Sequence, residues 1–240
     1  MTILSEAQHK LDLGKDFSKE TRLPFVTVSY AQSLDGSIAL RPGYPLSISC
    51  AESQVLTHNL RAMHDAILVG IGSVLADDPQ LTVRLAQGRN PQPLILDSRL
   101  RFPPYARLLD CNGRKPWIFT TDSAGVDRER SLEACGAKVF RFPSGPDGRI
   151  EVRTLLKHLV KMGILSIMVE GGAEVIKSFL LAKAVNQMVV SITPLLVGGI
   201  RIFDAIANIE PNSFPRLTNV CYEKVGNDMV LRADPDWAKE

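Results

Sequence analysis

The stretch DAILVGIGSVLADDPQLTVR, from Asp65 to Arg84, constrains the fold more than any other part of the chain. A short apolar run, Ala66 to Val69, meets Gly70 and Gly72. Ser73, Asp77, Asp78, Pro79, Leu81 and Arg84 follow. An apolar run that ends in glycine and then polar groups is how an α/β protein delivers side chains and free backbone N–H groups to a ligand at a strand's carboxyl end. The same pattern fits a buried strand followed by an ordinary loop. The stretch alone leaves both readings open.

The rest of the chain repeats the strand-then-helix pattern. Phe25, Val26, Val28 and Tyr30 are β-formers, and Asp35-Gly36 is a turn signal. Ser29, Ala31 and Ser33 are small; they suit either the approach of a flat ligand or close packing against a helix. Arg41 to Ser49 reads as a loop. From Ala51 to His64, Val55, Leu56, Leu60 and Met63 fall near helical spacing, with Ser49 as a candidate cap and Glu52 as its capping-box partner. Arg61 lies in the last turn, where a cation suits the helix dipole or reaches an anionic ligand.

Further strands are expected at Pro93–Ser98, Pro116–Thr121, Ala137–Phe142, Ile164–Val169 and Asn186–Gly199, with helices over Val126–Cys135, Val152–Met162 and Ala173–Ala184. Asp97-Ser98 ends one strand with Arg99 and Arg101 close behind, which suits a ribose and phosphate or a solvated corner. Glu170-Gly171-Gly172 precedes a helix whose N-terminus is a favourable phosphate seat. Glu170 is an odd neighbour for a phosphate, which suggests two ligands meeting at that turn. Thr218–Val225 and Met229–Arg232 are joined by Gly226-Asn227-Asp228, a hairpin signal. The expected architecture is therefore α/β: one domain with a mixed, mainly parallel sheet, a C-terminal antiparallel hairpin and flanking helices.

Composition narrows the function classes. A net charge of +2 with interspersed acids and bases lacks the basic stripe of a nucleic-acid surface. The four cysteines are far apart and the four histidines have no ligand spacing, so neither a disulfide framework nor a metal site is expected, and a reducing cytoplasm is the default. No apolar run reaches the ~18 residues of a membrane helix. Residues 1–22 are expected to be a mobile leader or a short amphipathic helix, ahead of a domain spanning residues 23–240. The dinucleotide fingerprint G-x-G-x-x-G is absent.

Five collinear motifs carry a resemblance. SLDG (Ser33 to Gly36), LVGIGSVLADDPQLTVR (Leu68 to Arg84), LILDSRLRFP (Leu94 to Pro103), VEGGAEVIKSFL (Val169 to Leu180) and TPLLVGG (Thr193 to Gly199) stand in the order and spacing of one domain. It resembles the pyrimidine reductases of riboflavin biosynthesis, over about residues 23–233. The resemblance implies a dihydrofolate-reductase-like fold and a homodimer. It implies NADPH bound without the Rossmann fingerprint, although the sequence leaves NADH open. The implied reaction reduces C1′ of a ribosylamino pyrimidine 5′-phosphate to the ribitylamino form.

Carried over position by position, Ala31, Ser47, Ser73, Asp77 and Ser98 are implied cofactor contacts. Gly171, Gly172, Ala173, Glu174, Val175 and Ile176 form the implied phosphate-holding helix start. Arg61, Leu81, Arg84 and Glu170 are implied substrate contacts, with Arg61 and Arg84 clamping the phosphate and Glu170 taking pyrimidine N–H groups or sugar hydroxyls. Asp77 and Glu170 are the implied catalytic groups, with Asp77 either assisting proton movement or only orienting the cofactor.

The sequence also departs from the pattern. Pro45 stands where a substrate-binding serine is common, which puts Ser47 in doubt. Ser29 replaces a lysine usual in fused deaminase–reductases and is expected to face a ring amino group. No H-x-E or P-C-x-x-C deaminase signature is present. These features favour the diaminopyrimidine over the deaminated aminouracil as substrate. The rival readings are a folate or pterin reductase and a non-catalytic NADPH-binding protein.

Overall fold

Short apolar runs with both faces covered must pair in parallel, because the helices between them carry the chain back to the same end of the sheet. A computed structural model describes residues 2–44, 47–110, 113–203 and 215–237. Pro45, Leu46 and Cys111 lie outside the described residues. The order is α1 (Ile3–Thr21), β1 (Phe25–Ser33), α2 (Ala51–Met63), β2 (Ala66–Gly70), α3 (Ile71–Asp77), β3 (Gln92–Leu96), β4 (Trp117–Thr121), α4 (Val126–Ala134), β5 (Lys138–Phe142), α5 (Val152–Lys161), β6 (Ser166–Val169), α6 (Ala173–Leu181), β7 (Gln187–Thr193), β8 (Arg216–Val225) and β9 (Asp228–Asp236).

The strands form a nine-stranded sheet in the order β5-β4-β3-β2-β6-β1-β7-β9-β8. Pairing is parallel from β5 through β7. It is antiparallel between β7 and β9 and between β9 and β8, so the expected C-terminal hairpin closes the sheet. The chain goes one way from β1 through β2 to β5, then returns to lay β6 between β2 and β1. The carboxyl ends of β1, β2 and β6 therefore meet where the direction of winding reverses.

Alternation sends neighbouring side chains to opposite faces. Leu68 joins Val28, Val169, Leu155, Leu159, Ile176 and Phe179 in one apolar layer, under α5 and α6. Ile67 and Val69 join Ile95, Ile118, Phe102, Leu108 and Leu132 in another layer. Asp65 fixes the register between β2 and β6: its Oδ2 accepts from the Leu165 and Ser166 N–H groups and from Ser166 Oγ, each at 3.1 Å.

Residues 3–21 form a helix, one of the two forms expected there, and two local expectations are corrected. Ile3, Ala7 and Leu11 recur every fourth residue and are buried, the first two in one cluster with Leu56 and Leu60 of α2 and Met168, Val189 and Val230 of the sheet. Lys10 pairs with Asp234 at 2.9 Å, and Ser18 Oγ donates to the Leu165 carbonyl at 3.1 Å. Gly14 lets the helix approach β1: a Cβ there would lie 2.1 Å from the Phe25 ring. Residues 71–77, where an ordinary loop is one open reading and no helix is expected, are a helix closed by Asp78 in the left-handed region, φ 39°. The N-cap of α2 is Cys50, which makes no side-chain cap bond; its N–H instead donates to Asp228 Oδ2 at 2.9 Å, so the Ser49–Glu52 box does not form.

Leu11→Ala is expected to cost about 2–5 kcal/mol in chemical denaturation, the cost of a buried leucine lost. Leu13→Ala, at an exposed site of the same helix, should stay within about 0.5 kcal/mol of the parent. Equal effects would mean that α1 is not part of the core.

Candidate active site

Where β1, β2 and β6 end together, the sheet opens into a cavity of about 860 Å3, the size of a small-molecule site. Ser29, Tyr30 and Ala31 come from β1. Ser73, Ala76 and Asp77 come from α3, and the run Gly171 to Ile176 comes from the β6–α6 turn. His58 and Arg61 reach it from α2. The β2 and β6 ends come this close because they carry glycine. A Cβ on Gly70 would lie 2.7 Å from Val175 Cγ2, and one on Gly171 would lie 3.2 Å from the Gly70 nitrogen.

Arg61 and Glu170, 109 residues apart, form a bidentate pair. Arg61 Nε donates to Glu170 Oε1 at 2.8 Å and NH2 to Oε2 at 2.7 Å. Both side chains are about seven-eighths buried, at 14% and 13% exposure. The third edge of the guanidinium, NH1, donates to the Thr82 carbonyl at 3.0 Å. The two groups assigned separately from sequence are thus bonded to each other. The picture of Arg61 and Arg84 as equal arms of a clamp changes accordingly. Arg84 donates NH1 to Thr82 Oγ1 at 2.6 Å and forms no ion pair among the described residues.

Arg84 is exposed, and with Arg61, Asp77, Leu81 and Arg107 it lines a second concavity beside the main cavity, of about 490 Å3. Leu81 is buried and left-handed, φ 52°, a conformation uncommon for leucine. His58, which the sequence reading set aside for want of ligand spacing, is buried here. Its Nδ1 accepts from the Arg84 N–H at 2.8 Å. Burial pushes its pKa down to about 4, and the positive charges of Arg61 and Arg84 push the same way against a weaker opposing pull from Glu170. The signal available in the sequence was its spacing: three residues before Arg61 on a helix places the two on one face.

The start of α6 is less open than the Gly-Gly pair suggested. The Gly172 N–H donates to Ser73 Oγ at 3.2 Å. The N–H groups of Ala173 and Glu174 find no acceptor among the described residues, as the first turn of a helix requires. The Glu174 carboxylate is held by Lys177 at 2.7 Å and Arg149 at 2.9 Å, contacts that lower its pKa. Asp77 is exposed at the cavity wall and has no hydrogen bond or ion pair among the described residues. The surrounding walls still remove enough water to raise its pKa above the ordinary aspartate value.

Of the sequence-derived site residues, Ser29, Ala31, Arg61, Ser73, Asp77, Arg84, Glu170 and the run Gly171 to Ile176 line the main cavity. Leu81 lines only the second concavity. Ser47 is exposed and lines neither, although Tyr44, Ile48 and Ser49 around it do line the main cavity. Ser98 also lies outside both walls; its carbonyl accepts from Thr121 Oγ1 at 2.8 Å. Asp97, for which a ribose contact and a solvated corner are the open readings, is fully buried and closes its own loop by accepting the Phe102 N–H at 2.8 Å. Arg99 and Arg101 are exposed.

A mainly parallel sheet closed by an antiparallel hairpin, with its cavity at the carboxyl edge, defines a dihydrofolate-reductase-like protein. The dihydrofolate reductase of Enterococcus faecalis superposes with a TM-score of 0.51 at 13% identity, over 88% of this chain and 96% of that one, a likeness of fold alone. The chain belongs to the family described as the RibD C-terminal domain, whose model matches residues 24–231. It is 38% identical over 225 residues to the 2,5-diamino-6-ribosylamino-4(3H)-pyrimidinone 5′-phosphate reductase of Debaryomyces hansenii, covering 88% of this chain and 89% of that one. It is 33% identical to the riboflavin biosynthesis protein RibD of Bacillus amyloliquefaciens, covering 92% of this chain and 60% of that longer protein. The solved riboflavin biosynthesis reductase of Saccharomyces cerevisiae superposes with a TM-score of 0.72 at 28% identity, over 89% and 90% of the two chains.

The depressed His58 pKa has a stability consequence. The fold prefers the neutral imidazole, so the contribution is complete above pH 6.5 and is lost as pH falls toward about 4. Denaturation of the parent and of His58→Asn should therefore show a parent advantage near pH 7.5 that shrinks by pH 4.5. A difference that is the same at both pH values would mean that His58 is not held neutral.

Proposed function

We propose that this protein is an NADPH-dependent reductase that converts the ribosylamino side chain of a pyrimidine 5′-phosphate to the ribitylamino form, acting on the 2,5-diamino-6-ribosylamino-pyrimidinone. One observation carries the reading. A single cavity joins a helix start with free N–H groups to a cationic arm and a polar ion pair, with an unpartnered carboxyl between them. That is what two anionic ligands meeting end to end require. The names of the relatives support the same chemistry.

The residues present fit a nicotinamide cofactor. The Ala173 and Glu174 N–H groups and the positive end of α6 would hold its diphosphate. Ala31, Gly70, Gly72 and Ser73 are small enough to admit a flat ring against the backbone. When bound, NADPH supplies the hydride that adds to C1′ of the ring-opened, imine form of the sugar, while a proton goes to complete the amine.

This chain's own groups do the rest. Arg84 meets the substrate phosphate with charge-assisted hydrogen bonds. Arg61 holds Glu170 in one orientation, and the remaining lone pairs of Glu170 accept from ring N–H groups or sugar hydroxyls. Asp77, with its raised pKa, sits between the two ligands and relays the proton or a water that carries it. Fixing both partners in near-attack contact supplies much of the rate.

Ser29 lines the cavity, and its hydroxyl has no hydrogen-bond partner among the described residues. A hydroxyl both donates and accepts, so it suits a ring amino group, which favours the diaminopyrimidine over the aminouracil. The reading also takes a homodimer and a cytoplasmic site of action. Leu217, Val220 and Tyr222 are exposed on the edge strand β8, a surface that a second copy would cover. Among the described residues, no helix is long and apolar enough to cross a membrane.

The deciding experiment follows nicotinamide oxidation with the diaminopyrimidine, the aminouracil and dihydrofolate side by side, each with NADPH and NADH. The expected order is diaminopyrimidine first, aminouracil slower and dihydrofolate inert. No turnover of either ribosyl phosphate would overturn the function, and a faster aminouracil would overturn only the substrate preference.

Arg84→Ala should raise the Michaelis constant for substrate ten- to a hundredfold, as expected for about 1.5–3 kcal/mol of charged hydrogen bonding, and change that for NADPH less than threefold. Gly172→Asp, which sets a carboxylate at the start of α6, should abolish NADPH binding in a fluorescence titration. Unchanged affinity would place the cofactor elsewhere.

A further inference from the structure

The segment that carries Arg84 lies outside any strand or helix, so no ladder sets its position. One turn of α2 sets it instead. Arg61 donates to the Thr82 carbonyl at 3.0 Å. Three residues earlier on the same helix, His58 Nδ1 accepts from the Arg84 N–H at 2.8 Å and lies 3.4 Å from the Leu85 nitrogen. The segment is thus gripped through a carbonyl by one residue and through an N–H by the other. A third bond, from the Val83 N–H to Asn90 Oδ1 at 2.8 Å, completes the grip.

Only an imidazole with a bare Nδ1 can accept that N–H. His58 is buried with the guanidinium groups of Arg61 and Arg84 as charged neighbours and Glu170 beyond them, an environment that resists a further positive charge. We propose that His58 is a positioning residue for the anionic end of the substrate, acting through the Arg84 backbone to hold the Arg84 guanidinium beside the Arg61–Glu170 pair. This rests on the reading that Arg84 meets the substrate phosphate. His58 itself contributes no charge to the ligand; it decides where the charge of Arg84 stands.

The requirement is for an acceptor atom at one place. Asparagine puts Oδ1 where histidine has Nδ1, two bonds beyond Cβ. Glutamine puts its oxygen one bond farther out, and leucine supplies none. The test uses the full-length enzyme in steady-state assays with NADPH and two substrates: the ribosylamino pyrimidine 5′-phosphate and its dephosphorylated form.

His58→Leu and His58→Gln should each raise the Michaelis constant for the phosphorylated substrate about tenfold, with that for NADPH changed less than twofold. His58→Asn should come back to within about threefold of the parent. Both penalties should vanish with the dephosphorylated substrate. If the leucine variant does not fold, the asparagine–glutamine contrast decides alone. Glutamine and asparagine behaving alike would overturn the proposal. So would a penalty that persists without the phosphate, or one shared equally by substrate and NADPH. Separately, a parent enzyme that turns over both substrates equally well would overturn the phosphate reading itself, whatever the His58 variants do.

Discussion

The Arg61–Glu170 pair holds the site together. It bridges the end of α2 to the turn after β6, two points that the sheet order alone brings close but does not lock. Two charges this deep lose much hydration, and their bidentate geometry with a third bond to Thr82 is what offsets the loss. Removing either partner would leave the other charged and buried, at a cost of about 3–5 kcal/mol. The pair has a directional result as well. It fixes the carboxylate of Glu170, and it anchors the segment from which Arg84 projects. One interaction therefore sets the orientation of an acceptor and the address of a cation.

A second polar chain serves the frame behind the site. His64 closes α2 by donating Nδ1–H to the Leu60 carbonyl at 2.7 Å, which leaves Nε2 to accept from Thr27 Oγ1 at 2.8 Å. Thr27 accepts in turn from Gln187 Nε2 at 3.1 Å, and Gln187 accepts from Arg232. Arg232 pairs with Asp234, which also takes Lys10 of α1. Every donor in the series has an acceptor, so its burial carries little penalty. The chain joins α2, β1, β7, β9 and α1, and so ties the N-terminal helix to the same helix that presents His58 and Arg61.

Local pattern carried most of the architecture. Period-2 and period-3.6 spacing placed most strands and helices within a few residues, although the strand expected to reach Gly199 ends at Thr193, and Gly226-Asn227-Asp228 placed the hairpin. What escaped was decided at a distance. The residues of α3 follow Gly70, carry Gly72 inside the first turn and end on Asp77, a poor helical signature; a left-handed Asp78, tied by its carboxylate to the Arg107 N–H at 2.9 Å, ends the helix from outside. The N-terminal helix looks polar along its length, and only the burial of Ile3, Ala7 and Leu11 makes it part of the core. Most of the residues picked by motif position lie on the cavity wall, but position could not show that Arg61 and Glu170 are bonded to each other, nor that Asp97 faces its own loop. Ser98 matched a motif and still lies outside the wall, because a motif records order along the chain, whereas a wall depends on which strand ends meet.

The separation of the two concavities gives Asp77 its significance. It lines both, as do Arg61 and Arg84. It stands on the last turn of α3, whose Asp78 cap is itself anchored, so its backbone is held while its carboxyl has no protein partner among the described residues. An acid kept only to brace the fold would be paired, as Asp35 is by Ser33, Ser37 and the Val197 and Gly198 N–H groups, contacts that depress its pKa. Asp77 is the opposite case: unpaired, exposed at a cavity wall and raised in pKa by the protein around it. A group in that condition contributes nothing to the frame, and its cost is borne where two ligand-sized spaces adjoin. That contrast between two aspartates in one chain is what supports the proposed role of Asp77 at the cavity wall.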